Sequence, residues 1–319
     1  MKTFFNYIFI LCLASVLLFS CNDNNKITGD SIFEDVPVLD STLSTYNFDL
    51  WLYHNYLIPY NIKFDYKMVD VGSDMDYNLV PTENLKAQQL AHLMRYLWFD
   101  VYKKVVSDDF LKLYGPRMIH LIGSPAINAS LGTIVLGTAE GGIKITLYYV
   151  NSLDPTNIPI MNEYYFKTMH HEFAHILHQT KNYPKTYDAI SAGHYDMDGW
   201  QNRTDEEANS LGFASNYGSS QPREDFVEII ANYIVKTDAD WNKTLWNASK
   251  EWTQNSNGEA VLTTKQSDGV DGQAIILQKL EICREWLSEK WNIKLDSLRA
   301  EVQRRQSNLN MLKVMNDDY

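Results

Sequence analysis

Two histidines and a glutamate in one short stretch of the chain could bind a metal ion and activate water. The stretch reads His171-Glu172-Phe173-Ala174-His175, which is the H-E-x-x-H pattern. In an α-helix, residues four apart are turned by about 40° and displaced by about 6 Å, so both imidazoles lean toward one point. Glu172 lies beside that point, where a general base for a water molecule is needed. The spacing therefore predicts a zinc-dependent hydrolase.

The residues around the two histidines predict how their helix packs. Phe173, Ala174, Ile176 and Leu177 form an apolar side opposite the histidines. A helix of this kind buries its apolar side and turns the other side away from the core. We therefore expect the histidines to face a cleft rather than to be ordinary polar surface residues.

A catalytic zinc ion usually takes three protein ligands, so a third must come from elsewhere in the chain. The candidates are His178, Glu224, Glu228, His194 and the acidic residues between positions 196 and 207. His178 lies about 10 Å beyond His171 on a straight helix, which favours a place in the cleft wall or behind a ligand. Glu224 and Glu228 share one side of a later helix. From spacing alone, one could bind the metal while the other orients a histidine, or both could form a solvated acidic face.

The N-terminus has the pattern of a bacterial lipoprotein signal. A lysine precedes an apolar run over residues 4–19, and Ser20-Cys21 follows the run. The run is too short and too close to the N-terminus for a membrane span. A small residue directly before a cysteine resembles the lipobox, in which the cysteine is lipidated. We therefore predict a signal peptide at 1–20, lipidation of Cys21 and a polar tether over 21–39.

The composition is that of an ordinary folded domain with an acidic surface. Of the 319 residues, 45% are hydrophobic and 21% charged, which is enough to bury a core. The formal net charge of −12 argues against a nucleic-acid partner, which requires a basic face. Because Cys12 would leave with the signal and Cys21 would carry lipid, Cys283 has no disulfide partner and is expected to be buried.

Hydrophobic periodicity predicts one α+β domain over residues 40–319. The lobe at about 40–180 should combine helices with a small mixed sheet, and the lobe at about 181–319 should be mainly helical. Just before the histidine helix, Thr133–Leu136 and Ile143–Val150 are predicted to form a hairpin, whose second strand would offer an exposed edge to an extended peptide.

Three further predictions concern the second lobe. The irregular connection from Thr180 to Asn216 is expected to be a mobile cover over the cleft, because long loops are unusual in compact domains unless they serve a site. Trp252 is expected in a short helix that begins near Asp238, and Asn255–Gly272 in a surface loop.

The stretch from about Met169 to Tyr233 resembles the lethal-factor-like gluzincin peptidases. Those have H-E-F-G-H, then Tyr-Gly, then E-x-F-x-E, and here Tyr-Gly begins at residue 217 and Glu-Asp-Phe-Val-Glu at residue 224. The resemblance implies that Glu224 is the third zinc ligand, that Tyr217 stabilises the transition state and that Glu228 is a supporting acid. Ala174 replaces the glycine of that family.

A longer resemblance covers most of the mature chain. The chain is similar to the zinc-binding lipoproteins of Bacteroidetes that accompany outer-membrane nutrient-import systems. The similar segments are the lipobox, Asp49-Leu50-Trp51, Pro59–Lys63, His171–Gln179 and Leu295–Arg299. The resemblance implies a zincin-like fold, a Zn²⁺ cofactor and a metallohydrolase held at the outer membrane or cell surface. The implied partners are a peptide, protein or glycoprotein substrate, the membrane and an import complex.

Three functions are compatible with these residues. The motif favours a zinc peptidase in which His171, His175 and Glu224 hold the ion and Glu172 is the base. A non-catalytic lipoprotein that binds glycans or peptides would not need Glu172. Its sugar platforms would be Trp200, Trp241, Trp246 and Trp252, which we expect instead to pack in the core. The third function is the same hydrolysis restricted to glycosylated proteins.

Overall fold

The structure is a computed structural model that describes residues 39–68, 77–128, 132–140, 142–257, 259–264 and 267–309. The chain divides into two units, at Met1–Thr42 and Leu43–Tyr319, and only residues 39–42 of the first unit are described. The predicted signal peptide, Cys21 and nearly all of the predicted tether therefore lie outside the described residues. Among the helices that the structure describes, none is long and apolar enough to span a membrane.

The N-terminal helices pack around aromatic side chains. In order they are α1 (Tyr46–Leu52), a π-helical turn (Tyr53–Leu57), α2 (Ile58–Tyr60), α3 (Asn84–Met94), a second π-helical turn (Arg95–Phe99), α4 (Asp100–Val105) and α5 (Phe110–Tyr114). Trp98, in the second π-helical turn, is fully buried and packs edge-on against Phe173 at 5.1 Å. Tyr102 and Phe110 approach the same ring at 5.2 and 6.0 Å. This aromatic cluster anchors the apolar side of the histidine helix, as the sequence predicts.

A four-stranded mixed sheet lies at the centre of the N-terminal half. Its strands, in spatial order, are β1 (Lys63–Asp65), β2 (Met118–Leu121), β6 (Lys144–Leu147) and β5 (Gly137–Glu140). The β1–β2 and β2–β6 pairs are parallel, and the β6–β5 pair is antiparallel. Separately, β3 (Ala126–Asn128) and β4 (Thr133–Val135) form a two-stranded hairpin.

The structure corrects the predicted hairpin and its predicted edge. Thr133–Val135 pairs with β3, whereas Gly137–Glu140, predicted to be a turn, pairs with β6. Because β6 is hydrogen-bonded on both sides, the edge strand at this end of the sheet is β5, and β1 is the edge strand at the other end. Gly137 reads as a turn residue in the sequence, but the strand needs it for another reason. A Cβ atom there would lie 2.3 Å from Cγ2 of Thr168, so the glycine allows β5 to approach the histidine helix.

The rest of the chain is mainly helical, which agrees with the predicted α+β class. It comprises α6 (Ile158–Met161), a π-helical turn (Asn162–Phe166), α7 (Lys167–Thr180), α8 (Asp205–Ser210), α9 (Pro222–Val235), α10 (Asp238–Ala248), the hairpin of β7 (Glu251–Gln254) and β8 (Ala260–Thr263), α11 (Gly272–Trp291) and α12 (Leu295–Gln306). Trp252 thus lies in a strand and not in a helix, and β8 occupies part of the predicted loop. The prediction missed the β-branched pair Thr253 and Val261, which favours a strand.

The four tryptophans considered as sugar platforms differ in burial. Trp241 is buried, as expected, and Trp200 and Trp252 are half-buried. Trp246 contradicts the expectation, since it is 55% exposed. It lies near the end of α10, where Lys250 Nζ is 5.1 Å from its ring centroid, so a cation rather than the core covers part of it.

A buried ion pair joins α9 to α11. Asp225 and Lys279 have no exposed side-chain surface, and their closest oxygen and nitrogen atoms are 2.6 Å apart. Tyr195 donates a hydrogen bond to Asp225 at 2.8 Å, and Lys279 donates another to the Gly212 carbonyl at 2.8 Å. Because a buried charge is costly without such partners, the pair sets how α9 lies on α11. Cys283, one turn further along α11, is buried and free, as predicted.

Candidate active site

Two helices bring His171, His175 and Glu224 together. The histidines come from α7, and the glutamate comes from the first turn of α9, which packs along α7. The Glu224 Oε2 atom lies 3.1 Å from Nε2 of each histidine, and the two Nε2 atoms are 3.1 Å apart. Among the described residues, these three form the one group whose potential ligand atoms all lie within 4.8 Å of one another. The geometry thus favours Glu224 over the other candidate ligands.

The cluster fits a zinc ion. Four ligands at zinc distances of about 2.0–2.2 Å in a tetrahedron would be separated by roughly 3.3 Å, close to the separations found here. Two imidazole nitrogens and one carboxylate oxygen are also a donor set that suits zinc. The three side chains could supply three of the four ligands, which would leave the fourth position for water or substrate.

Glu228 fixes the orientation of His171. Its Oε1 atom lies 2.7 Å from Nδ1 of His171, while Ser215 and Asn232 donate hydrogen bonds to Oε2. Burial raises the pKa of Glu228, but the charge of Lys167 and the hydrogen bond with His171 outweigh burial and hold that pKa well below its usual range. The ionised carboxylate therefore keeps a proton on Nδ1, so Nε2 is the nitrogen that would give up its proton to bind a metal.

Removing the charge of Glu228 should weaken zinc binding. In Glu228→Gln the ring of His171 loses its anionic acceptor, and we expect a zinc affinity lower by about 10- to 100-fold. Competition with a chromogenic chelator measures this directly. Glu163→Gln, at an exposed position in the π-helical turn before α7, is the matched control and should bind zinc like the wild type. An unchanged affinity in the Glu228 variant would contradict this role.

His178 lies behind a candidate ligand and not at the metal position. Its Nε2 atom is 2.8 Å from Nδ1 of His175. Burial and the nearby charge of His175 lower the pKa of His178 to about 4, so its ring is neutral at pH 7. A neutral His178 can accept a hydrogen bond from the Nδ1–H of His175, which leaves Nε2 of His175 free to bind a metal. His178 therefore lies next to His175 and outside the ligand group.

The remaining candidates for a third ligand lie outside this cluster. The carbonyl of His194 accepts a hydrogen bond from Arg203, and the carboxylate of Asp196 accepts one from the Gly199 backbone. Neither these residues nor the acids up to 207 belong to the ligand group found in the described parts of the chain.

Glu172 has the position and the electrostatics of a general base. It is buried beside the two histidines, lines the cleft and does not belong to the ligand group. Burial raises the pKa of Glu172, although His171 and His175 act against this. A raised pKa brings a carboxylate closer to the range in which it both accepts and returns a proton.

Tyr217 contributes a hydroxyl group at the same place. It begins the short helical turn Tyr217–Ser219 before α9, and its ring centroid is 5.8 Å from that of His171. Burial and the nearby charge of Glu224 raise the pKa of Tyr217, so the hydroxyl keeps its proton and can donate a hydrogen bond. Trp200 packs against Tyr217 with ring centroids 4.9 Å apart.

An open cleft of about 410 Å³ lies in front of these residues. Its lining includes His171 and Glu172 from α7, strand β4 and Gly137 at the start of β5. Met197 and Trp200 also line it, and both belong to the segment predicted to cover the cleft. The segment does border the cleft, and its mobility remains a prediction.

Zinc binding to this cluster should weaken as the pH falls. Burial lowers the pKa of His171, but hydrogen bonds with Glu224 and Glu228 outweigh burial and raise it to about 10. Before zinc binds, His171 is therefore protonated at pH 7 and must release a proton to become a ligand. We expect the apparent zinc affinity to fall about tenfold per pH unit between pH 8 and pH 6. Chelator competition across this range measures the slope, and a flat profile would contradict the prediction.

The fold and this cluster define a zinc-binding domain, and comparison with known proteins gives its family. Residues 41–296 match the family model described as putative zinc-binding metallo-peptidase, and the chain belongs to that family. It is similar to the crystal structure of a putative zinc-binding metallo-peptidase from Bacteroides caccae, with 41% identity and a TM-score of 0.69. That similarity covers 89% of this chain and 98% of the other. No curated protein matches the chain. Zinc, the predicted cofactor, is the metal of the family.

Proposed function

We propose that this protein is a zinc-dependent peptidase of the gluzincin type that hydrolyses peptide bonds at the cell surface. The observation that carries the proposal is the convergence of His171, His175 and Glu224 on one point, at an open cleft that His171 and Glu172 line. Zinc held by the first three residues would supply Lewis acidity, which polarises a carbonyl group and makes water more acidic.

The protein's own side chains would carry the proton transfers and the charge stabilisation. Glu172 takes a proton from the attacking water and later delivers it to the leaving amine. Tyr217 donates a hydrogen bond to the carbonyl oxygen as negative charge develops there, an effect worth about 3 kcal/mol for one donor. Glu228 and His178 hold the rings of His171 and His175 in the orientation that metal binding requires.

The proposal is tested by digestion of a peptide library with purified protein, with and without a chelator. We expect cleavage that the chelator abolishes and that zinc restores. Glycan binding that is insensitive to the chelator, without any cleavage, would instead support the non-catalytic binding lipoprotein. Cleavage of a glycopeptide but not of its bare counterpart would support a peptidase restricted to glycosylated proteins.

The place of action rests on the sequence pattern at the N-terminus. A lipid on Cys21 would anchor the protein in the outer membrane, where its products could pass to a nutrient-import complex. Cells that express the full chain should incorporate labelled palmitate into it, and Cys21→Ser should abolish the label. Cys12→Ser is the control and should leave the label unchanged. Equal labelling of the Cys21 variant and the wild type would contradict lipidation there.

A further inference from the structure

The cleft contains two aliphatic side chains that are largely exposed to solvent. Ile134 on β4 is 53% exposed and Met197 is 64% exposed, and both line the same cleft as His171 and Glu172. Ligand clefts are lined mainly by apolar side chains, with a few polar groups that fix the orientation of the ligand. An exposed apolar surface in such a cleft indicates that a bound ligand covers it.

The position of this apolar surface is fixed relative to the catalytic helix. Val135 and Leu136 also line the cleft and follow Ile134 directly in the chain. They lead to Gly137, where β5 approaches Thr168 of α7 so closely that a side chain would not fit. Residues 134–136 therefore cannot move far from α7 without breaking that contact. The apolar surface is continuous with the candidate catalytic site.

We propose that Ile134, Val135, Met197 and Trp200 form a subsite for a large apolar side chain of a peptide substrate. The side chain would belong to a residue next to the bond that is cut. This inference rests on the proposed peptidase function and adds a substrate class to it, namely peptides with leucine, phenylalanine or methionine at that position.

The charges in the cleft disfavour an acidic side chain. Glu172 and Glu228 both line it, and the whole chain carries a net charge of −12. Lys167, which also lines the cleft, lies 3.9 Å from Glu228 and offsets that buried carboxylate. The charge of Glu172 and the negative net charge of the chain would still disfavour an acidic residue of a substrate.

The shape of the surface disfavours a sugar ring. Sugars are bound by broad aromatic faces, and most of this surface is aliphatic. Trp200, the indole in the lining, meets Tyr217 at an interplanar angle of 70°. A flexible methionine together with branched aliphatic side chains suits an apolar amino-acid side chain better.

The subsite is tested first by cleavage. Peptides that differ at one residue flanking the cleaved bond are compared for wild type, Ile134→Asp and Met197→Asp. We expect the wild type to prefer leucine or phenylalanine over aspartate or glycine by tenfold or more in kcat/KM, and each variant to reduce that ratio about tenfold. Ile58→Asp, at a 62% exposed position on α2 that does not line the cleft, is the control and should keep the wild-type ratio.

A binding measurement separates failure of the subsite from failure of the peptidase function. Zinc-loaded Glu172→Gln protein, alone and combined with Ile134→Asp or Met197→Asp, is titrated with the same fluorescent peptides. The subsite is supported if the Glu172→Gln protein binds the leucine peptide more tightly than the aspartate peptide and both combined variants lose this preference. This holds even if the wild type cuts no peptide. In that case the peptidase function fails and the subsite stands.

Equal binding of the leucine and aspartate peptides would overturn the inference. So would a leucine preference that survives in both combined variants, or binding of a glycopeptide but not of its bare apolar counterpart. Because Ile134 lies on β4 and Met197 in the connection before Trp200, a folding defect in one variant leaves the other to decide the outcome.

Discussion

Glu172→Gln is expected to abolish peptide hydrolysis while the protein still binds zinc. Glutamine has nearly the same shape as glutamate but cannot take a proton from water. General base catalysis contributes about 10²- to 10⁴-fold, so kcat/KM should fall by roughly that factor. Because Glu172 is not in the ligand group, the zinc content should remain that of the wild type.

The experiment pairs single-peptide kinetics with metal analysis of the same preparation. Glu289→Gln, at an exposed position near the end of α11, is the control and should retain both activity and zinc. A Glu172 variant that cleaves peptides as fast as the wild type would remove Glu172 from the mechanism. The result would leave the metal cluster intact and would require another base in the cleft.

We expect Lys279→Met to lower the free energy of unfolding more than a substitution at an exposed position does. The substitution leaves Asp225 buried without its cation, although Tyr195 still donates a hydrogen bond to it. Breaking a buried ion pair by removing one partner costs about 3–5 kcal/mol. Urea unfolding followed by circular dichroism measures the loss. Lys290→Met, at an exposed position on the same helix, should change the free energy of unfolding by less than about 0.5 kcal/mol.

A double variant shows whether the loss comes from the unpaired charge. Lys279→Met combined with Asp225→Asn removes both charges. The loss in free energy of unfolding should therefore be smaller in the double variant than the sum of the losses in the two single variants. Strict additivity would mean that the two side chains do not depend on each other. The structure argues against additivity, because the pair is fully enclosed and its atoms are in direct contact.

Local spacing was enough to predict the central part of the site. His171 and His175 are four residues apart on one helix, so their convergence follows from helix geometry alone. Glu224 comes from a different helix, and spacing alone does not decide whether Glu224 or Glu228 binds the metal. The resemblance to the gluzincin peptidases favoured Glu224, and the distances in the structure agree with it.

The strands near the site were harder to predict because they are very short. Strands β3 and β4 have three residues each, and β5 begins with a glycine that also reads as a turn. Alternation over three residues carries little information, so pairing depends on contacts with distant elements. The sequence therefore predicts an exposed edge at β6, whereas in the structure β2 and β5 pair with it on both sides.

The buried ion pair was missed, although the sequence contains a signal for it. Lys279 falls among Ile276, Leu280 and Cys283 on the buried side of α11, where a solvated lysine has no place. Such a lysine predicts a buried partner, but not which one. The partners of Glu228, such as Ser215 and Asn232, depend on tertiary packing and gave no comparable signal.

Glu224 and Asp225 are neighbours on α9, yet one meets the histidines of α7 and the other meets Lys279 of α11. A truncated fragment that stops after α9 would thus retain the three candidate ligands and lose the counterion that holds their helix in place. We expect such a fragment to bind zinc poorly. Attempts to trim this protein to a minimal catalytic core should therefore keep its C-terminal helices.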